Sequence, residues 1–318
     1  MDGDAAVTTG ADARMIATPD LVTNSYFPAL AAEELGLYRE EGLDAHVELM
    51  PSLAAVHALR DGAVDFVAGG AHTLLLAFPG WRGVKLVVTL SQGTPWLLVL
   101  RASLPAGRGD VRAVKGLRIG AAHGPDRAFR QLLRESGVDP ARDGVTIAPV
   151  PGADAPDASF GVLAADALER GLVDGFWANA LGSETAVRRG VGRIVVDVRR
   201  GDGPAAAGQY TFAALATTDA LIARTPERVA AAVRAVVQAQ RLLRTDPARA
   251  TKVGRRRFPP DAAALVATVV ERDRPFYDPV VSDAAVRGTQ AFACAAGMLA
   301  SPVAYEEVVA TRFAGLWE

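Results

Sequence analysis

The residues through which this 318-residue chain could do chemistry are few: four histidines, one cysteine, and polar or aromatic side chains set at glycine-rich turns. Cys294 stands alone, which excludes an internal disulfide, a thiolate metal cluster and a Cys-x-x-Cys redox pair together. His46, His57, His72 and His123 fall at no His-x-x-x-His or Glu-x-x-His spacing, so no dedicated zinc site is expected, and neither metal nor cofactor enters the reading. What remains is hydrogen bonding and stacking. Asn24, Ser25 and Tyr26 stand just ahead of a helical pattern, where free backbone N–H groups and the helix dipole favour an anion; the plainer role for Asn24 or Ser25 is to cap that helix. Gly69 and Gly70 permit close approach to the backbone, and His72 after them is either a donor to a carboxylate or sulfonate or an ordinary surface cap. His123 and Gly124 precede Pro125 at a second helix start, which would hold the same ligand from the other side. Trp177 and Asn179 offer an aromatic plate and an amide, or simple packing. Gln92, Trp96 and Tyr210 flank two extended runs that lead from one half of the chain to the other, where they line a cleft or merely fill it, whereas Trp81 and Trp317 are expected in the core.

The elements that must position these residues alternate. A strand at 14–18, a helix from Phe27 closed by Gly36, a strand at 43–50, a helix at 52–60 with Leu53, Val56 and Leu59 on one face, and a strand at 64–68 before Gly69 make an opening unit. A helix at 71–78 and extended runs at 84–90 and 96–101 complete it, and a first lobe is expected over 15–100 behind a flexible segment 1–14. Gly116 opens a second such unit: a strand at 117–121, a helix at 128–136 closed by Gly137, strands at 145–149, 173–177 and 194–198, and a helix at 161–170. This places a second lobe over 101–208. A strand at 210–217 then crosses back, and residues 209–318 return to the first lobe with a long helix at 226–245 and further helices broken at Phe258-Pro259-Pro260, Arg274-Pro275 and Ser301-Pro302. Strand and helix in alternation give an α/β fold of two mostly parallel sheets, joined by two crossings that act as a hinge. Ligands of such sheets sit at the carboxyl ends of the strands.

Composition narrows the partners. Half the residues are apolar and the formal net charge is −2, which supplies no general attraction to nucleic acid or to an anionic membrane. The Arg255-Arg256-Arg257 run has no interleaved aromatics and reads as a solvated helix end. No stretch approaches the roughly 18 apolar residues that would span a bilayer.

Five segments in one order resemble a known family. They are Gly36-Leu37-Tyr38-Arg39-Glu40-Glu41-Gly42-Leu43, Leu59-Arg60-Asp61-Gly62-Ala63-Val64-Asp65-Phe66, Val114-Lys115-Gly116-Leu117-Arg118-Ile119-Gly120, Ala167-Leu168-Glu169-Arg170-Gly171-Leu172-Val173-Asp174-Gly175 and Thr225-Pro226-Glu227-Arg228-Val229. Together they are similar to the sulfonate, nitrate, taurine and thiamine-precursor solute-binding proteins, which have the type II periplasmic-binding-protein fold. The resemblance implies a monomeric clamp that holds a small organic anion, or an aromatic or pyrimidine solute, and hands it to the permease of an ABC transporter. An extracytoplasmic place follows from it, periplasmic or anchored to the cell surface. The small, polar run over 1–14 resembles the spacer behind an exported protein's cleavage site and agrees with that expectation; a cytoplasmic protein is the alternative.

Enzymes with the same fold supply the competing reading. An aromatic sulfinate desulfinase of this kind keeps a cysteine nucleophile where this chain places Ser25, a histidine where it places His57, and an arginine where it places Val67. A lyase or hydrolase here would use Ser25, His57 and His72. A serine without a positioned base is a poor nucleophile, and thiol chemistry does not transfer to it. The related pyrimidine synthase is rich in cysteine, which this chain is not. No catalytic residue is therefore assigned.

Overall fold

The computed structural model describes residues 14–18, 24–153, 159–258 and 260–318. Of the segment expected to be flexible, all but Arg14 lies outside the described residues. Among them the strands are β1 (Arg14–Thr18), β2 (Ala45–Leu49), β3 (Phe66–Gly70), β4 (Val84–Ser91), β5 (Leu97–Arg101), β6 (Arg118–Ala121), β7 (Thr146–Ala148), β8 (Gly175–Ala178), β9 (Gly192–Asp197) and β10 (Ala213–Thr218). They form two five-stranded sheets of matching plan, ordered β2-β1-β3-β10-β4 and β7-β6-β8-β5-β9. In each sheet one inserted strand, β10 or β5, runs antiparallel to its neighbours and comes from the other half of the chain. These insertions are the two crossings. β3 and most of β4 are buried along their whole length, as expected where helices cover both faces of a sheet.

The helix–glycine–strand unit occurs in both lobes with the same geometry. Helix Ser52–Arg60 and helix Phe160–Glu169 are followed by Gly62 (φ 75°) and Gly171 (φ 73°), where a side chain would be strained. The amides of Ala63 and Leu172 close back 2.8 and 2.9 Å onto the carbonyls of Ala58 and Ala167. Each corner then delivers the next parallel strand, β3 or β8, toward the same edge of its sheet. The long helix Pro226–Thr245 has its expected limits, with proline in its first turn. It buries Val229, Val233, Val236, Gln240 and Leu243, one face of a 3.6-residue repeat. Gln240 fixes it to the sheet by donating from Nε2 to the carbonyls of Thr89 and Leu90, each at 2.8 Å.

Several local expectations change. β5 pairs with β8 and β9, so the strand expected to close the first lobe belongs to the second sheet, and the crossing lies at 92–96. Gly69 and Gly70 are the last residues of β3 and pair with Ala214 and Ala213, instead of following the strand. Residues Ala71–Leu76 form a tighter 3-10 turn, not an α-helix, and the Thr73 hydroxyl donates to the Gly70 carbonyl at its start, at 2.7 Å. Leu53 is 53% exposed, and Ala55 takes its place beside Val56 and Leu59 on the buried face. Trp177 stands within β8 and Tyr210 ahead of β10. Arg256 and Arg257 are not simply solvated: they pair with Glu34 and Glu33 at the end of helix Phe27–Glu34. Finally, helix Pro260–Asp273 does not stay with the first lobe. Its Leu265 and Val269 pack on Leu97, Ala180 and Leu181 of the second, and Arg272 pairs there with Glu184 and Asp197.

No described helix is long and apolar enough to cross a membrane.

Candidate functional site

Because β10 runs antiparallel, its first residue joins the carboxyl edge of the first sheet, where Ala213 lies between Gly70 and Ser91. In the second sheet Leu97 lies likewise between Ala178 and Asp197. Residues 92–96 and 198–212 link these two edges, and the segments after β3 and β6 meet β8 beside them.

His72 is the centre of the seam. Its side chain is fully buried, and Nδ1 lies 2.9 Å from Thr211 Oγ1. The imidazole meets Trp96 edge-on (centroids 5.9 Å apart, 88°) and Phe292 similarly (5.6 Å, 72°). Trp96 tilts against Trp177 at 6.3 Å, Trp177 stacks on Phe129 at 5.4 Å, and Phe292 stacks on Tyr210 at 5.0 Å. The rings thus run from the third loop of the first lobe, through both hinge segments, into the second lobe. Burial pushes the imidazole down to about 4; the Gly124 backbone facing the ring opposes this, and Arg127 adds to it. His72 is therefore neutral at ordinary pH. Among the described residues, His72 Nε2, Trp177 Nε1 and the Tyr210 hydroxyl are buried without a full hydrogen bond. Burial pushes the Tyr210 hydroxyl up, and nearby Glu135 adds to this without closing a full bond.

A second, polar cluster stands at the first loop. Asn24 Nδ2 donates to Asp273 Oδ2, and the Asn24 carbonyl accepts from Tyr277 Oη at 2.8 Å. Asp273 also holds Arg199, at 2.5 Å, in a pair that is 0% and 2% exposed. The Arg199 guanidinium donates to Ser91 Oγ at 3.1 Å and lies 4.4 Å over the Phe276 ring. Among the described residues, Thr18 Oγ1, Asn24 Oδ1, Ser25 Oγ and Asp273 Oδ1 are buried without partners. Neither Asn24 nor Ser25 stands at the cap of helix Phe27–Glu34: the cap position is Tyr26, in helical conformation, and its side chain makes no cap bond.

The structure thus brings together Gly70, His72, Gly124, Trp96, Trp177 and Tyr210 along the seam, while Asn24 belongs to the separate polar cluster with Asp273, Arg199 and Tyr277. Asn179 is the cap of helix Ala180–Arg188, accepting from the Gly182 amide at 3.0 Å. Gln92 ties down the C-terminal segment by donating to the Val280 carbonyl at 2.7 Å. His123 is exposed, next to Gly124 in the left-handed region (φ 98°). A cavity of about 370 Å³ lies behind the seam, lined by Gln92, Arg199, Gln209, Thr211 and Phe276. Thr211 joins it to His72. Phe129, Arg199, Thr211, Asp273 and Phe292 carry no signal in the sequence that sets them apart from packing or surface residues. Among the described residues, no three His, Cys, Asp or Glu side chains come together as a metal site would.

The sequence profile of the NMT1-like family matches residues 21–256, most of the chain. The chain belongs to this family. No curated protein matches it significantly. Among solved structures, this NMT1-like chain is similar to a protein of Bordetella bronchiseptica, with 18% identity, a TM-score of 0.76, and 95% of this chain and 96% of that one covered. It is similar to the alkanesulfonate-binding protein SsuA of Xanthomonas axonopodis pv. citri bound to MOPS, with 17% identity, a TM-score of 0.68, and coverage of 95% and 97%. It also resembles a mutant of the desulfurization enzyme DszB in complex with biphenyl-2-sulfinic acid, at 19% identity, a TM-score of 0.63, and coverage of 95% and 98%. Identities this low establish the shared two-lobed periplasmic-binding-protein fold, on which binding proteins and an enzyme are both built.

Proposed function

We propose that this NMT1-like protein is a solute-binding component of an ABC importer, working outside the cytoplasm. Its lobes close on a small organic anion, or on an aromatic or heterocyclic solute of sulfonate, carboxylate or pyrimidine type, and present it to the permease. The single observation that carries this reading is the seam at the carboxyl edges of both sheets, where aromatic faces surround buried polar atoms without partners. Leaving such an atom unsatisfied costs about 1 to 3 kcal/mol. A ligand that enters as the lobes part and bonds these atoms as they close recovers that cost, and the rings supply the apolar walls such pockets need.

The enzyme reading finds less support. Ser25 Oγ has no hydrogen-bond partner among the described residues, so neither His57 nor His72 is placed as its base. His57 is half-buried on helix Ser52–Arg60, and the His72 ring is engaged by Thr211. The test is isothermal titration of the full chain with sulfonates, aryl carboxylates and pyrimidines, with the solutes followed by NMR. Saturable binding of an unchanged solute is expected; conversion to product overturns the reading.

A further inference from the structure

We infer that helix Asp283–Ala295 is a latch: rooted in the first lobe, it holds the second lobe against it before any solute arrives, and Phe292 is its catch. This rests on the fold alone, so it stands or falls separately from the identity of the solute. Both ends of the helix are fixed to β4 of the first sheet. Ahead of it, the Pro279 carbonyl accepts from the Thr89 amide at 2.9 Å, and the Val280 carbonyl accepts from Gln92 Nε2 at 2.7 Å. Beyond it, Val309 pairs with Leu86, and Trp317 Nε1 donates to the Val87 carbonyl at 2.9 Å. Gln290 ties the helix to this returning segment, donating to the Val303 carbonyl at 3.0 Å and accepting from the Val303 amide at 2.6 Å. Val286 and Ala293, seven residues apart and so on one face, lie in the core of the first lobe.

Phe292 and Ala296, four residues apart, make a second face, and this one packs with the core of the second lobe. The Phe292 ring meets His72 of the first lobe edge-on and stacks on Tyr210 of the second crossing. Gly288 allows the helix to come this close: a Cβ there would stand 2.7 Å from both the Cβ and the carbonyl oxygen of Gln209, which also lies in the second crossing. Glycine is disfavoured inside a helix relative to alanine, so its place here is explained by that approach. Helix Pro260–Asp273, which docks Leu265 and Val269 on Leu97, Ala180 and Leu181, braces the second lobe from the same end of the chain. Parting of the lobes about the two crossings must therefore pull Phe292 from one side of its socket and expose the ring. That exposure disfavours the open form at least about tenfold. A solute then finds only the minor open fraction competent to receive it, and its apparent affinity is lowered by that fraction.

The test is the distance between the lobes in the full chain without solute, measured by double electron–electron resonance between spin labels at Glu48→Cys and Ala148→Cys, with Cys294→Ala removing the native thiol. Both labelled positions are exposed and lie near the carboxyl ends of β2 and β7, the edge strands on the side away from the crossings. One short distance is expected, with a longer one in less than about a tenth of the molecules. Phe292→Ala should raise the ratio of long to short at least about tenfold. Gly288→Ala, which keeps the ring but forces the helix away from Gln209, should move the ratio in the same direction, and it decides if Phe292→Ala does not fold. A side chain that only packs would lower the urea midpoint and leave the distances where they were. A long distance already dominant before the latch is altered, or distances unchanged in folded variants, overturns the inference and leaves the solute-binding reading standing.

Discussion

Lowering the pH from about 7.5 to about 5 is expected to cost the folded state about 2 kcal/mol through His72 alone. The imidazole is fully buried, and burial brings its ionisation to about 4, against 6.5 for the free side chain. The folded value is the lower one, so the unfolded chain takes up the proton first; stability is complete above 6.5 and is lost as the pH falls toward 4. The whole interval is worth about 3 kcal/mol, of which roughly two thirds has gone by about pH 5. The assay is urea unfolding of the ligand-free protein across this range, followed by tryptophan fluorescence, for the wild type and for His72→Gln. Other titrating groups contribute equally to both, so the difference between the two profiles isolates His72. The wild type should lose stability relative to the variant below about pH 6.5, with the gap widening to about 2 kcal/mol at about pH 5. Profiles that remain parallel would mean that the imidazole meets solvent in the folded protein, and the closed seam described above would be wrong.

Two further outcomes follow from the same packing. Arg199→Met and Asp273→Leu each leave a buried charge alone and should cost about 3 to 5 kcal/mol, whereas the double variant should recover at least about 2 kcal/mol of the summed loss; additive losses in urea unfolding would show that the pair is not coupled. Trp177→Phe retains the stack on Phe129 but removes the Nε1 donor, so affinity for an aryl sulfonate should fall about tenfold by calorimetry while the unfolding midpoint barely moves; unchanged affinity would remove Trp177 from the site.

Local physics made much of the fold legible. Helix Pro226–Thr245 announces itself by an N-terminal proline and an apolar face at helical spacing, and Gly62 and Gly171 mark the corners that only a left-handed residue turns easily. The same signals put Asn24, Gly70, His72, Gly124 and Trp177 near strand ends. What the sequence hid depends on partners far along the chain. β5 reads as a strand from its own residues, but its sheet is decided by β8 and β9, roughly eighty and ninety-five residues later. Gly69 and Gly70 look like a turn until β10 pairs with them. Arg199 and Asp273 have the look of ordinary surface charges at element ends, and only the packing of helix Pro260–Asp273 across the lobes buries them together, 74 residues apart. Asn24 was expected as a possible cap and instead serves as the fixed amide of that buried network.

The central claim is that both lobes enclose an unaltered small solute at this seam, and the most direct measurement is a crystal structure of the full chain grown with the tightest binder from a panel of sulfonates, aryl carboxylates and pyrimidines. The expected result is intact solute between the lobes, in contact with His72 and Trp177. Solute bound elsewhere on the chain, or a cleaved product lying against Ser25, would contradict it.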